Sequence, residues 1–189
     1  MTVSYVEREQ ANAPTLAFYD KAEERFQGLL NIFKVFGHQP EYGEVFTNMI
    51  MAILKDGEID WLTKELLILK ATLRNECQYC VVQHERLCDM MGMPAEKVAD
   101  LEGDKYKTSK HFTEGEKALL DFTVQIGEDA NRVPKELWTR LHKHWTEPQI
   151  VDAAFVISIY IAVSKFGDAL GVELEPMFEG VTPQLKVVH

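Results

Sequence analysis

Apolar positions in this chain recur with the period of an α-helix almost from end to end. Over residues 15–35, Leu16, Tyr19, Ala22, Phe26, Leu29, Leu30 and Phe33 form one stripe behind Thr15, a candidate N-cap, and Gly37 and Pro40 stop it. Val45, Phe46, Met49, Ile50 and Ile53 share a face and predict a second helix over 41–55. Asp60 is placed to cap a third over 61–74, "WLTKELLILKATLR", which is apolar round most of its circumference and expected to be buried.

Further along, "NECQYCVVQHERLCDMMG" (75–92) reads as a helix that Asn75 or Glu76 would cap and Gly92 would end. Pro94 opens a short helix, and "TEGE" (113–116) is a capping-box pattern opening one through about Gly127. Pro134 begins another that ends near His144. Thr146 and Pro148 open a long last helix that Gly171 terminates. Its "FVISIYIAV" segment is rich in β-branched residues, yet it lies in a long run, 149–166, without Gly or Pro, which favours a helix over a strand. No alternation of strands with helices appears, so the chain reads as all-α and a parallel sheet is unsupported.

Composition narrows the function. A formal charge of −10 over 189 residues opposes non-specific binding to a phosphate backbone, so no nucleic-acid partner is expected. The start of the chain lacks the basic segment and apolar run of an export signal, and the last apolar helix is interrupted by Asp152, Ser158 and Lys165. A cytoplasmic protein with no membrane span and a buried core helix is the expectation. In a reducing compartment, close cysteines point to catalysis or metal binding rather than a structural staple.

All three cysteines fall within 75–92, and on one helix Cys77, Cys80 and His84 form a row, with Cys88 a turn further on. A first-turn position favours a thiolate, because unpaired N–H groups and the helix dipole face it. His84 is placed to accept a proton from Cys80. Glu65, inside the apolar third helix, is costly to bury without a partner and could serve as base or relay; surface pairing with Lys64 is the alternative. A zinc site could draw on Cys77, Cys80, His84 and Glu65, although one helix presents ligands along a line rather than as a tetrahedron. Cys88 reads as core packing. The aromatics Phe36, Phe46, Trp61 and Tyr79 are candidates to line a pocket beside the cysteines, and His38, His142 and His144 read as surface residues.

The composite Glu65-x11-Cys77-x2-Cys80-x3-His84, followed by Gly92, resembles the alkyl hydroperoxidase D-like members of the carboxymuconolactone decarboxylase superfamily. The resemblance is specific over 60–92 and looser over "VDAAFVISIYIAVSKFGDALGVELEP". It implies an all-helical fold, and 189 residues fit one domain over 1–189, or two small ones at most, with 60–92 as core motif and 172–189 as a C-terminal tail. It also implies a homo-oligomer, a trimer or hexamer, and a cofactor-free thiol–disulfide site that reduces hydroperoxides. By this likeness Cys80 is the peroxidatic cysteine, Cys77 its disulfide partner, and Glu65 with His84 the proton relay. The implied reductant is an external dithiol, which in the family can be a lipoyl-bearing protein. Tyr79 stands where the best-known peroxidases of the family have a second histidine. Lactone decarboxylation is the alternative activity, though decarboxylases of the superfamily generally lack the cysteine pair; a redox sensor or zinc-binding oligomer is the non-enzymatic one.

Overall fold

A computed structural model describes residues 2–178, 181 and 183–187. The described residues are helical throughout, without a strand. In chain order the α-helices are α1 (Ala13–Phe26), α2 (Asn31–Phe36), α3 (Pro40–Ile53), α4 (Trp61–Arg74), α5 (Gln78–Met90), α6 (Ala95–Ala99), α7 (Glu114–Asp129), α8 (Lys135–His144) and α9 (Glu147–Leu170). Two compact units emerge, one drawn from Met1–Lys55 and Phe166–Gly180, the other from Asp56–Lys165 and Val181–His189.

In the first unit the stripe expected to run unbroken over 15–35 is split. Gln27 adopts a left-handed conformation at φ 57°, closing α1 before Gly28, and α2 restarts at Asn31. The apolar period survives the break, because Phe26 and Phe33 still meet with ring centroids 4.9 Å apart. Nor does Thr15 cap α1: the Asn12 side chain accepts from the Thr15 N–H, since a cap must stand outside the helix whose donors it satisfies. Phe36 stacks with both Phe46 and Phe166 within this unit.

The second unit carries the larger core. Asp60 caps α4 by accepting from the Thr63 N–H at 2.8 Å, as its place in the sequence predicts. Leu66, Leu67, Ile68 and Leu69 are all buried, each worth about 1.5–3 kcal/mol relative to exposure. Unbroken burial on α4 follows from packing on two sides, against α5 and α7. Thr113 and Glu116 form the expected capping box at the start of α7, and Gly171 ends α9 at φ 66°.

Expectation and structure part at α9. Ala153, Val156, Ile157, Tyr160 and Ser164 are buried, whereas Val151 and Phe155 stand exposed, so only one face of the helix is core. By length and composition α9 is apolar enough to cross a membrane, and it is the one such helix among the described residues. The tail returns to the second unit: Leu185 is buried in its core, and the Gln184 and Leu185 N–H groups both donate to the Glu85 carboxylate on α5.

Candidate active site

The site begins at the junction between α4 and α5. After the α4 cap at Asn75, Glu76 turns left-handed at φ 61°. Its N–H donates to the Leu73 carbonyl and that of Cys77 to the Thr72 carbonyl, the hydrogen-bond pattern of a Schellman motif with glutamate where glycine is usual. The turn leaves Cys77 in the cap position of α5, where its Sγ accepts from the Cys80 N–H at 3.3 Å. Neither Asn75 nor Glu76 caps α5 as the sequence suggested, because both are consumed in closing α4.

Cys77 and Cys80 are joined as a disulfide with Cα atoms 5.4 Å apart, a separation that the i, i+3 spacing at a helix start supplies. Both are buried, as are His84 one turn later and Glu65 on α4. Glu65 does not pair with Lys64 at the surface. Its Oε2 lies 2.7 Å from His84 Nδ1, and its Oε1 accepts from the Trp61 indole N–H at 2.7 Å. Lys64 instead forms a buried ion pair with Asp152 of α9. With its Nδ1–H donated to the carboxylate, His84 keeps Nε2 as the ring nitrogen left to exchange a proton.

Two residues of α9 complete the surroundings. The Tyr160 ring meets His84 edge-on at 4.8 Å, and burial, then the charge of Glu65, holds its hydroxyl well above the ordinary phenol range. The Ser164 hydroxyl lies 3.8 Å from Cys80 Sγ. Sequence reasoning placed Trp61 beside the cysteines but gave it no role and missed Tyr160 and Ser164 altogether. Phe36 and Phe46 are accounted for by the aromatic stack of the first unit. Tyr79 is buried on α5.

Cys88 is a free, fully buried thiol in the hydrophobic core, and burial pushes its pKa far up, which makes it inert packing. Among the described residues no group of three or more His, Cys, Asp or Glu side chains is arranged to hold a metal ion, so the zinc arrangement considered from the sequence has no ligand set there. The linked cysteines and the Glu65–His84 contact form a thiol-based redox site.

Residues 40–105 match the model of the carboxymuconolactone decarboxylase family. An uncharacterised protein of Bacillus subtilis (strain 168), YdfG, is 26 % identical over 118 residues, covering 62 % of this chain and 79 % of its own. A cysteine-to-alanine variant of the debrominase Bmp8, in complex with 2,3,4-tribromopyrrole, superposes with a TM-score of 0.78 at 18 % identity over 93 % of this chain and 92 % of that one. The alkylhydroperoxidase AhpD core of an uncharacterised peroxidase-related protein from Ralstonia eutropha JMP134 gives 0.76 at 20 % identity, covering 96 % and 97 %. The fold is thus that of these solved structures, and the match to the carboxymuconolactone decarboxylase family model lies in residues 40–105.

Proposed function

We propose that the protein is a thiol-dependent peroxidase that reduces hydroperoxides with the Cys77–Cys80 pair. The observation that carries this reading is the buried Glu65–His84 contact on the helices that hold a closed disulfide. Burying such a polar pair costs several kcal/mol in desolvation, on the order of what a core can ill spare without a chemical use. Glu65 orients His84, and His84 takes the proton from the Cys80 thiol. The Cys80 thiolate attacks the distal oxygen of ROOH, the O–O bond breaks, and ROH leaves with a proton from the relay, giving Cys80 sulfenic acid. Cys77 then attacks that sulfur, water leaves, and the disulfide closes. An external dithiol reopens it by exchange and is itself oxidised, a lipoyl-bearing protein being the candidate.

A halogenated aromatic is the second substrate class to assay, suggested by the debrominase likeness and by the aromatic rings of Trp61 and Tyr160 around the Glu65–His84 pair. There the same two thiols would replace C–Br by C–H, releasing bromide and closing the disulfide. Such chemistry belongs in a reducing compartment, consistent with a cytoplasmic protein. We further propose that a homo-oligomer, a trimer or hexamer, covers the exposed Val151 and Phe155 of α9.

Continuous hydroperoxide consumption with dihydrolipoamide distinguishes an enzyme from a sensor, which would oxidise once and stop. Cys80→Ser is expected to lower turnover to background. Full activity in that variant sinks the assignment.

A further inference from the structure

The two sulfurs of the pair do not have the same hydrogen-bond donors. Cys77 Sγ occupies the cap position of α5 and accepts the Cys80 backbone N–H, the arrangement in which a helix start stabilises a thiolate. By backbone geometry alone the charge of the reduced pair would therefore settle on Cys77. Against Cys80 Sγ stands a side-chain donor from a distant part of the chain: the Ser164 hydroxyl of α9, 3.8 Å away. The same hydroxyl is 2.8 Å from the Tyr160 carbonyl one turn earlier in α9. Ser164 has one proton and two acceptors, so it serves one at a time.

We propose that Ser164 is a catalytic residue that assigns the negative charge of the reduced pair to Cys80, its hydroxyl resting on the Tyr160 carbonyl while the disulfide is closed and turning onto the Cys80 thiolate when it opens. This rests on the redox reading of the site given above. A disulfide sulfur is a weak acceptor and loses the competition with a carbonyl. A thiolate carries full charge, and charge-assisted hydrogen bonds are roughly twice as strong as neutral ones. The exchange needs only rotation of a hydroxyl and movement of Sγ freed from its partner. Ser164 is fully buried and Cys80 nearly so, which limits competition from bulk water for either position. The Tyr160 carbonyl gives up a second acceptance rather than its only one, because α9 continues through Ser164 and supplies the backbone N–H donor.

Glu65 on α4, His84 and the buried Tyr79 on α5, and Tyr160 on α9 are ionisable groups at or beside this cluster, and all four stay in place in the variants below. The test measures the thiolate absorbance of each cysteine against pH, in full-length Cys77→Ala and Cys80→Ala proteins, with Ser164 intact or replaced. Cys88 stays protonated across the range because of its burial. Ser164→Ala is expected to raise the Cys80 midpoint by about one pH unit, a tenfold loss of thiolate, and to leave the Cys77 midpoint in place. Ser164→Thr keeps the hydroxyl and should restore the Cys80 value.

A second measurement stands apart from whether threonine fits: the equilibrium of the intact pair with dihydrolipoamide. Losing a donor to the reduced form should shift Ser164→Ala about tenfold toward disulfide, about 30 mV. An unmoved Cys80 midpoint in folded Ser164→Ala, an equal shift at Cys77, or an unchanged equilibrium overturns the role of Ser164. No peroxide enters either measurement, so absence of peroxide turnover would count against the peroxidase reading and not against Ser164.

Discussion

Glu65 and His84 show how a residue's neighbours decide its chemistry. A helical glutamate ordinarily points to solvent; this one is fully buried, with both oxygens engaged by the Trp61 indole and the His84 ring. Its position in an apolar helix was legible, because a charge there demands a partner; His84 as that partner was implied by the family resemblance, with Lys64 the alternative from the residues alone. Trp61 at i−4 was legible only as a neighbour on the same face, and nothing in the sequence shows that its N–H reaches the carboxylate. Ser164 left no signal at all: a serine in an apolar helix is commonplace, and Cys80 lies 84 positions away. Glu65→Gln keeps the shape but removes the charge that orients His84. Peroxide turnover should fall about 10²–10⁴-fold while far-UV circular dichroism is unchanged; activity within twofold of the parent would remove Glu65 from the relay.

At the scale of elements, several helix ends were readable from residue type, through a capping side chain or through the freedom of a glycine that has none. Asp60, Thr113 with Glu116, Gly92 and Gly171 each stand at the boundary their chemistry predicts. Apart from the α1 start, where Asn12 rather than Thr15 is the cap, the misplaced boundaries are those made by left-handed residues that are not glycine. Gln27 divides a stripe read as one helix, and Glu76 closes α4 so that Cys77 becomes the cap of α5. No composition rule marks either: both side chains are exposed, and at Glu76 what accompanies the turn is the pair of backbone hydrogen bonds that closes α4. A left-handed non-glycine residue costs about 1–2 kcal/mol, so Glu76→Gly should relieve strain offset by its larger unfolded-state entropy, for a net gain up to about 1 kcal/mol. Chemical denaturation reads this directly, and Glu76→Val should move the midpoint the other way.

On the scale of the whole molecule, burial of phenols sets the alkaline limit. Tyr19 is pushed from 10.0 up to about 12 by burial first and then by the charge of Glu7. Tyr106 and Tyr160 are raised by burial as well, with the Asp121 and Glu65 carboxylates adding to it. A folded-state acid with a raised pKa holds its proton longer than the unfolded chain does, so stability falls as pH rises past the unfolded value. Lys70, lowered by burial from 10.5 to about 8, acts in the opposite sense and adds stability between those values, offsetting the loss that the Cys88 thiol, raised by burial, brings above its ordinary value of 9.0. The denaturation midpoint should therefore hold or rise slightly between about pH 8 and 10 and fall above about pH 10, where phenols of the unfolded chain ionise. A midpoint that already declines from pH 8 would contradict this ordering. For the proposed oligomer, Phe155→Glu should lower the mass measured by sedimentation while the monomer keeps its helical content. An unchanged mass places the interface elsewhere.

If peroxide turns over the Cys77–Cys80 pair, a single oxidation event must account for both sulfurs. The most direct measurement reduces the protein fully, removes the reductant, adds one equivalent of hydroperoxide and maps the thiols by mass spectrometry. The expected result is one equivalent of alcohol formed and loss of two hydrogens in a Cys77–Cys80 disulfide, with Cys88 still a free thiol, and repeated cycles once dihydrolipoamide is supplied. Cysteines that remain reduced, or peroxide consumed at the same rate by Cys80→Ser, would contradict it.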